Sequence, residues 1–432
     1  MIRSIASVIR GEGWASAARR TGERIEEALH NVVLGARGTF AGKTAAEIVN
    51  VSATDVVPRL GGMPVQFLAR LRAERMLRPI ALLHPHGLEL SEPYPHTRRV
   101  RGFRSTLELH DAAFETAVRE ALAHAGARTI HIEGTAGAPL GSVLRLRESG
   151  VDVVISVSDF SLFCARPHLL EEPAARFCFY SEDLDRCHRC LQQTWNLPRN
   201  AQAERRRAAR ELLLAANAVV FPSQFLLERH RELFALPDLA AEVIEPASPA
   251  TRPEDVEGPR RAIAYAGSVK QHKGAHLLPD IIRRFAGREV EWHVFGGGDE
   301  ELLRAIREAP GVRVHGYYRS GVLPSLLTRH RVGLVLLPSI WPESYGLTLS
   351  EAWMAGAPAA AFDLGALAER IRRDGGGWLA PLESGAAGMA EIIERWLSGG
   401  LTAVVPRSVP SPVEVARAHV ELYRRIGVNA IP

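Results

Sequence analysis

Two α/β domains, each built on a doubly wound parallel sheet, are the fold that this sequence predicts. The chain has 432 residues, which is too many for one ordinary hydrophobic core. Short apolar segments with the character of strands alternate with helical segments, and this alternation favours a parallel sheet covered on both faces. The alternation occurs in two series, with a proline-rich stretch at 246–260 between them. The sequence therefore predicts two domains joined by a hinge.

The strands of the two series are placed from their apolar runs. In the first series, strands are expected at 46–52, 79–84, 129–133, 151–157, 218–221 and 241–244, with a helix at 63–75. In the second series, strands are expected at 262–265, 291–295, 312–315, 333–337 and 359–362. These series predict a first domain at 46–250 and a second domain at 258–403.

Helices are expected outside both domains. Residues 1–45 are predicted to form a helical extension, because apolar residues recur on one helix face while arginine and glutamate occupy the other. This extension has two interpretations, an extra layer packed on the first domain and a peripheral membrane contact. Residues 411–427 are predicted to form a C-terminal helix that crosses back to the first domain. Its start carries a capping box, with Ser411 at the N-cap, Pro412 at N1 and Glu414 at N3.

Composition and charge narrow the class of protein. Hydrophobic residues make up 46% of the chain and charged residues 24%, which is typical of a globular protein. The net charge is only +4, and no basic stripe interleaved with aromatic residues indicates nucleic acid as a partner. No apolar run approaches the roughly 18 residues of a membrane span, and arginines interrupt any signal-peptide core. We expect a cytoplasmic protein whose mild positive charge suits a phosphorylated substrate or an anionic membrane surface.

The strongest motif lies at 338–352, after a buried strand and at the start of a helix. Ligands of open α/β sheets bind beyond the carboxyl ends of the strands, where helix N-termini present N–H groups to anions. The residues whose backbone is expected to receive a diphosphate, without a metal ion, are Ser344, Tyr345, Gly346, Leu347 and Thr348. Carboxylates accept hydrogen bonds from pairs of hydroxyls. Glu343 is therefore predicted to bind sugar hydroxyls, and Glu351 the vicinal hydroxyls of a ribose.

A glycine loop that carries lysine follows the first strand of the second series, at 265–274. Lysine occurs at only three positions of the chain, 43, 270 and 273, and two of them lie in this loop. A lysine at this place can neutralise the charge that develops on a diphosphate leaving group. We assign this role to Lys273. The other residues of the loop that are predicted to bind the ligand are Gly267, Ser268 and Lys270.

Two more strand ends are predicted to line the same site. Gly296 opens a run of three glycines, and it is interpreted as part of a tight turn beside the ligand. The run is not the dinucleotide fingerprint, because Glu301 stands where the third glycine of that motif is required. Tyr317, in a His-Gly-Tyr-Tyr segment after the next strand, is predicted to frame a base.

All four cysteines lie within 27 residues of one another in the first domain. The last two form a Cys-x-x-Cys pair, which is common in zinc sites, and a metal is favoured over disulfides in a cytoplasmic chain. The alternative is a group of small buried thiols. The residues predicted to hold a structural zinc ion are Cys164, Cys178, Cys187 and Cys190.

Together these motifs resemble glycosyltransferase family 4, whose members are retaining enzymes of the GT-B fold with two Rossmann-like domains facing a cleft. The resemblance covers 262–400 well and 46–245 more loosely. Glu343 and Glu351 match the family's paired glutamates, and Lys273 with the glycine after it matches the family's Lys-Gly. The Trp-Pro-Glu and Leu-Ser-Glu-Ala segments are similar to those of members that build bacterial surface polysaccharides, including lipopolysaccharide.

The resemblance implies transfer of a sugar from a nucleotide-diphosphate sugar of the UDP or GDP type, without a catalytic metal. The acceptor it implies is a glycan or a lipid-linked saccharide. It further implies that Gly61 and Gly62 form the family's glycine loop beside the donor, and that Asp159 joins Lys273 and Glu343 as a catalytic residue.

Two departures from the family pattern keep a second function open. Ser268 occupies a position where family members commonly carry arginine, and Ser158 precedes Asp159 where histidine is frequent. The alternative is a non-catalytic sugar-nucleotide binder, or an assembly partner in a polysaccharide synthesis complex. An oxidoreductase is disfavoured because the dinucleotide fingerprint and its ribose acid are absent. An epimerase would require groups for proton abstraction or elimination that these motifs do not supply.

Overall fold

The computed structural model describes residues 46–54, 63–91, 95–254, 258, 260–406 and 409–428. The helical extension predicted at 1–45 lies outside the described residues, and so do Gly61 and Gly62. The described chain divides into two compact units. We call the unit that contains 66–246 and 411–428 the first domain, and the unit built mainly from 247–254 and 260–406 the second domain.

An eight-stranded sheet lies at the centre of the first domain. Its strands are β1 (Ile48–Val51), β2 (Ala81–His84), β3 (Gly87–Leu90), β4 (His96–Arg98), β5 (Thr129–Glu133), β6 (Asp152–Ser156), β9 (Ala218–Phe221) and β10 (Glu242–Val243). Their order is β10-β9-β6-β5-β1-β2-β3-β4. The six strands that the sequence predicted pair in parallel, and β1 and β5 are buried along their whole length, as a sheet with both faces covered requires.

Two antiparallel pairs correct the expectation of a purely parallel sheet. Strand β2 turns directly into β3 through Pro85 and His86, and β3 pairs antiparallel with β4 at the sheet edge. A two-residue turn allows only antiparallel neighbours, since parallel strands need a long crossover. A separate two-stranded ladder consists of β7 (Leu170–Glu171) and β8 (Arg176–Phe177).

Helices alternate with the strands of the first domain, as the sequence predicted. The helix predicted at 63–75 is present as Met63–Glu74. The helices before the second domain are α1 (Met63–Glu74), α2 (Ala112–Ala125), α3 (Leu140–Glu148), α4 (Leu184–Gln192), α5 (Ala201–Ala215) and α6 (Gln224–Leu233). Helix α2 shows why such segments are helical, since Asp111 accepts two backbone N–H bonds at its start and Gly126 ends it in the left-handed conformation.

A six-stranded parallel sheet forms the second domain. Its strands are β11 (Ala262–Ala266), β12 (Trp292–Phe295), β13 (Val312–Gly316), β14 (Val332–Leu337), β15 (Ala359–Phe362) and β16 (Gly377–Ala380). Their order is β13-β12-β11-β14-β15-β16, and every neighbouring pair is parallel. The sequence predicted the first five. Strand β16 was missed because its short apolar run follows Gly375 and Gly376 and resembles a turn.

Helices cover both faces of the second sheet. They are α7 (Leu278–Arg284), α8 (Glu300–Arg307), α9 (Leu323–Arg329), α10 (Leu347–Met354), α11 (Gly365–Asp374) and α12 (Gly385–Leu397). Residues of α7, α8 and α12 join the core on one face, and residues of α9, α10 and α11 join the core on the other. The two cores place the carboxyl ends of the strands and the starts of these helices along one edge of the sheet.

The C-terminal helix, α13 (Pro412–Arg425), belongs to the first domain. Its predicted capping box is confirmed, because Ser411 Oγ accepts the Glu414 N–H while the Glu414 carboxylate accepts the Ser411 N–H. Leu422 and Tyr423 pack in one cluster with residues of β1, β6 and β9. Within the described residues, no helix has the length and apolar character that crossing a membrane requires.

Candidate functional site

The loops after β11, β12 and β14 pack against one another with no room for side chains. A Cβ on Gly274 would lie 1.8 Å from the carbonyl oxygen of Pro338, and one on Gly296 would lie 1.8 Å from that of Gly267. Gly274 also has a positive φ of 71°, a conformation that glycine adopts without strain. The glycines that the sequence singled out therefore serve close approach between loops at the carboxyl edge of the sheet.

Lys273 and Glu343 meet at this edge. The Lys273 Nζ atom lies 2.7 Å from Glu343 Oε1, although the two residues are 70 positions apart in the chain. Ser339 Oγ donates a short hydrogen bond to the same carboxylate oxygen. The Lys273 ammonium also lies 5.2 Å from the ring centre of Trp341, close enough for a cation–π contact. Lys273 and Glu343, one from each of the two strongest sequence motifs, thus form an ion pair at this edge of the sheet.

The backbone of Glu343 is fixed by the loop after β15. The Ala366 N–H donates to the Glu343 carbonyl oxygen at 2.8 Å. A Cβ on Gly365 would lie 2.7 Å from the Glu343 backbone nitrogen and 2.8 Å from Pro342, so only glycine allows this approach. Gly365 has a φ of 70°. The position of the Glu343 carboxylate therefore depends on a glycine outside both motifs.

Helix α10 begins at the predicted anion site. Its N-cap is Gly346, at φ 85°, which has no side chain to cap the N–H groups of the first turn. Free N–H groups at a helix start, with the positive end of the helix dipole, favour an anion. Ser344, Leu347 and Thr348 are partly exposed here, whereas Tyr345 is buried. This start of α10 can receive a phosphate group.

Arg370 holds the loop before α10, and the sequence did not single it out. Its side chain is 2% exposed and donates to the carbonyl oxygens of Tyr345 and Gly346 and to Ser350 Oγ. The guanidinium also lies over the rings of Tyr345 and Trp353. Burial of a charge is costly unless the group is hydrogen-bonded in this way. A single arginine on an amphipathic helix gives no signal in a sequence that contains so many arginines.

Glu351 lies in the second turn of α10 and is 9% exposed. Burial raises the pKa of its carboxyl from 4.5 to about 7, against the opposing effect of a hydrogen bond from Ser248. Ser248 Oγ lies 3.4 Å from Glu351 Oε1 and is itself buried. The sequence placed Ser248 in the linker, but residues 247–254 belong to the second domain. Burial, with the nearby Glu351 charge, also raises the pKa of Tyr318.

The remaining second-domain residues of the prediction lie on the neighbouring loops. Tyr317 stacks its ring on Gly297, where a Cβ would lie 2.3 Å from the ring. Ser268 is partly exposed, and its carbonyl oxygen accepts a hydrogen bond from the Tyr265 hydroxyl at 2.6 Å. Lys270 is exposed and lies beside the short 3-10 turn that ends at Lys273.

The predicted first-domain residues have different surroundings. Asp159 follows β6 and accepts the Ser161 N–H at 2.8 Å, and burial raises the pKa of its carboxyl. His131, near the end of β5, is fully buried. Its ring nitrogens bond to the Tyr423 hydroxyl and to Ser156 Oγ. His131 therefore links α13 to the sheet of the first domain.

The four cysteines predicted as zinc ligands are each partly buried in the first domain. All four are free thiols, and among the described residues only three histidines form a group with ligand atoms near enough to share an ion. Burial raises the pKa of Cys164 to about 12, which holds its thiol protonated. The sulfurs of Cys164 and Cys190 accept backbone N–H groups from Arg166 and Glu172. A structural zinc ion at Cys164, Cys178, Cys187 and Cys190 therefore stays a prediction.

Known proteins resemble the second domain in sequence and most of the chain in structure. Residues 260–399 match the family model described as glycosyl transferases group 1. The sucrose-phosphate synthase of Thermosynechococcus elongatus has a similar structure, with a TM-score of 0.61 and 16% identity over 88% of this chain and 96% of that chain. The fold is GT-B. A search of curated proteins gave no significant match.

Other solved structures share this GT-B fold along most of the chain. The catalytic domain of starch synthase IV from Arabidopsis thaliana, bound to ADP and acarbose, has a TM-score of 0.57 and 15% identity, covering 89% of this chain and 99% of that one. HepE of Anabaena, in complex with UDP and glucose, has a TM-score of 0.52 and 14% identity, covering 88% and 95%. The predicted fold class, two Rossmann-like α/β domains, is therefore confirmed.

Proposed function

We propose that this protein is a retaining glycosyltransferase that moves a sugar from a nucleoside diphosphate sugar to a glycan or lipid-linked saccharide. The observation that carries the proposal is the ion pair of Lys273 and Glu343, at the carboxyl edge of β11 and β14 and beside the start of α10. The group 1 glycosyltransferase match over 260–399 supports it. Similar structures that hold UDP or ADP support a nucleotide donor.

The donor binds through its diphosphate in this proposal. The N–H groups of Leu347 and Thr348 receive one phosphate at the start of α10, and Lys273 receives the other. Lys273 exchanges its bond to Glu343 for a phosphate oxygen, which frees the Glu343 carboxylate for a sugar hydroxyl. Glu351 accepts hydrogen bonds from the ribose hydroxyls. No catalytic metal takes part, because lysine and backbone amides supply the positive charge.

The chemical step follows from these positions. The bond between the anomeric carbon and the diphosphate oxygen breaks, and an acceptor hydroxyl forms the new bond on the same face of the sugar. The leaving diphosphate takes the proton of that hydroxyl, so configuration is retained. Lys273 and the helix N–H groups stabilise the charge on the leaving group, and the protein otherwise contributes orientation. Asp159 of the first domain is the residue proposed on the acceptor side.

The biological setting that we propose is synthesis of a bacterial surface polysaccharide. The protein would work in the cytoplasm, at the inner face of a membrane when the acceptor is lipid-linked. The similarity of the Trp-Pro-Glu and Leu-Ser-Glu-Ala segments to such enzymes favours this setting over storage-sugar synthesis.

Donor binding and turnover of variants test the proposal. Purified protein is first screened by thermal shift against UDP, ADP and GDP, since a ligand of the folded state raises its stability. Sugar transfer or hydrolysis is then measured with the sugar nucleotide of the preferred base. We expect Lys273→Ala to lower turnover about 100-fold, and donor affinity by a smaller factor, because its charge acts mainly on the leaving group. We expect Glu351→Gln to weaken donor binding about tenfold.

A matched control removes a cation elsewhere in the second domain. Arg283 is exposed on helix α7 and pairs with Asp280, so Arg283→Ala should leave both affinity and turnover unchanged. Absence of binding to every nucleoside diphosphate, or wild-type kinetics in both site variants, would rule out the assignment. Binding without transfer or hydrolysis would instead identify the non-catalytic binder that Ser268 keeps open.

A further inference from the structure

Three histidines from three elements converge on one face of the second sheet. His293 lies on β12, His315 on β13, and His330 directly after α9. Each offers a ring nitrogen, and these nitrogens lie within 4.8 Å of one another. In the part of the chain that the structure describes, no other three histidine, cysteine, aspartate or glutamate side chains meet this condition. The His330 ring centre lies 4.7 Å from each of the other two.

The pair at the centre of this cluster already has nearly the spacing of metal ligands. His293 Nδ1 lies 2.9 Å from His315 Nε2, so the two rings share a hydrogen bond whose proton a metal ion would replace. A tetrahedral zinc ion with Zn–N bonds of 2.0–2.1 Å separates its ligand nitrogens by about 3.3 Å. His315 and His330 are only partly buried, so rotation of their side chains can bring the third nitrogen inward. The cluster therefore needs small adjustments to hold an ion.

The second ring nitrogen of His293, Nε2, indicates how the ring would be oriented around a metal ion. His293 is 1% exposed, and its Nε2 atom is buried without a hydrogen-bond partner. Glu291 Oε2 lies 3.5 Å from that atom, just beyond hydrogen-bond distance. Histidines that bind metal through one nitrogen usually donate the other N–H to a carboxylate. Glu291 is placed to accept that bond, and Arg313, 3.6 Å from the same carboxylate oxygen, balances its charge.

We propose that His293, His315 and His330 form a binding site for one divalent transition-metal ion of the zinc class. Imidazole ligands suit zinc, copper, nickel and cobalt rather than magnesium or calcium. The ion fastens edge strand β13 to β12 and to the end of α9, and water completes its coordination. The site shares no residue with the Lys273 and Glu343 cluster, and the role that we assign to it is structural.

Metal titration of the full-length, untagged protein tests the site. Protein stripped with a chelator is titrated with Zn²⁺ by calorimetry, and with Co²⁺ by absorption spectroscopy. We expect one equivalent of Zn²⁺ to bind the wild type and to raise its melting temperature. His315→Gln and His330→Gln should each weaken Zn²⁺ binding by more than about 100-fold. Glu291→Gln should weaken it by about tenfold, as expected for a residue that hydrogen-bonds to a metal-binding histidine.

Two controls separate this site from other ligands. His124 is exposed on α2 in the first domain, so His124→Gln should bind Zn²⁺ like the wild type. A Cys187→Ser/Cys190→Ser variant should also bind one equivalent of Zn²⁺. The spectrum of the wild type with Co²⁺ should lack a thiolate charge-transfer band. Equal Zn²⁺ affinity in wild type, His315→Gln and His330→Gln would overturn the proposal. Loss of Zn²⁺ binding in the cysteine variant alone would also overturn it.

Discussion

At the scale of single residues, charge and burial distinguish the two glutamates of the donor segment. Glu343 is partly exposed and bonded to Lys273, so its carboxylate has a cation beside it. Glu351 is buried, and within the described part of the chain the Ser248 hydroxyl alone donates to it. An unpaired buried carboxylate is costly, which is why its pKa is raised to about 7. Ribose hydroxyls would supply the hydrogen bonds that the carboxylate lacks.

This burial predicts how Glu351 affects stability at different pH values. A carboxyl whose folded pKa lies above its unfolded value destabilises the protein when it ionises. For Glu351 the cost begins above pH 4.5 and is complete above about pH 7, where it amounts to about 3 kcal/mol. Glu351→Gln should therefore stabilise the ligand-free second domain at pH 8 and have little effect at pH 5.

Thermal unfolding at the two pH values measures this difference. Glu391→Gln is the control, since Glu391 is exposed on α12 of the same domain and should not change stability at either pH. An equal gain for Glu351→Gln at pH 5 and pH 8 would show that packing of the amide, and not removal of the charge, explains the effect.

At the scale of elements, glycines set the distances between the strand-end loops. Gly274, Gly296 and Gly365 each contact backbone atoms of another loop at positions that a Cβ would occupy. These contacts bring the starts of the helices to one edge of the sheet and hold the backbone on which Glu343 depends. Rigid placement of this kind supports a binding site better than mobile loops do.

Gly365→Ala should disturb Glu343 more than it disturbs the fold elsewhere. Any residue with a side chain at φ 70° carries about 1–2 kcal/mol of strain. Here the new methyl group would also meet Glu343 N at 2.7 Å and push its backbone away. We expect a lower melting temperature and at least tenfold weaker donor binding, measured by calorimetry.

Gly399→Ala provides the matched comparison. Gly399 has a similar φ of 74°, and a Cβ there would meet nothing within 4 Å. This variant should show the backbone strain alone, with unchanged donor affinity. If the two variants weaken donor binding equally, the contact between Gly365 and Glu343 does not position the carboxylate.

At the scale of the whole molecule, the first domain is discontinuous in sequence. Helix α13 returns to it from the end of the chain and brings Tyr423 against a buried polar network. In that network Arg70 is paired with Glu133 and Glu74, and His131 joins Tyr423 to Ser156. Burial raises the pKa of Glu133 to about 7, against the opposing effect of Arg70. A buried polar group that loses its hydrogen-bond or ion-pair partner destabilises the folded protein.

Tyr423→Ala should therefore destabilise the first domain strongly. The substitution removes a ring that is 2% exposed and the hydroxyl that bonds to His131, at a cost of about 3–5 kcal/mol. Val413→Ala is the control on the same helix, because Val413 is 45% exposed. Hydrogen exchange of β5 and β6 measures the stability of this domain separately, since the two domains need not unfold together. Similar exchange in both variants would contradict a stabilising role for Tyr423.

The sequence by itself determined the alternation of strands and helices, the parallel core of both sheets and the two motifs that contain Lys273 and Glu343. These features are local, since hydrophobic period, caps and glycine loops depend on residues close together in the chain. Tertiary structure alone decided which distant residues meet. Arg370 under the α10 loop, Ser248 beside Glu351, and the three histidines of β12, β13 and α9 carry no local signal.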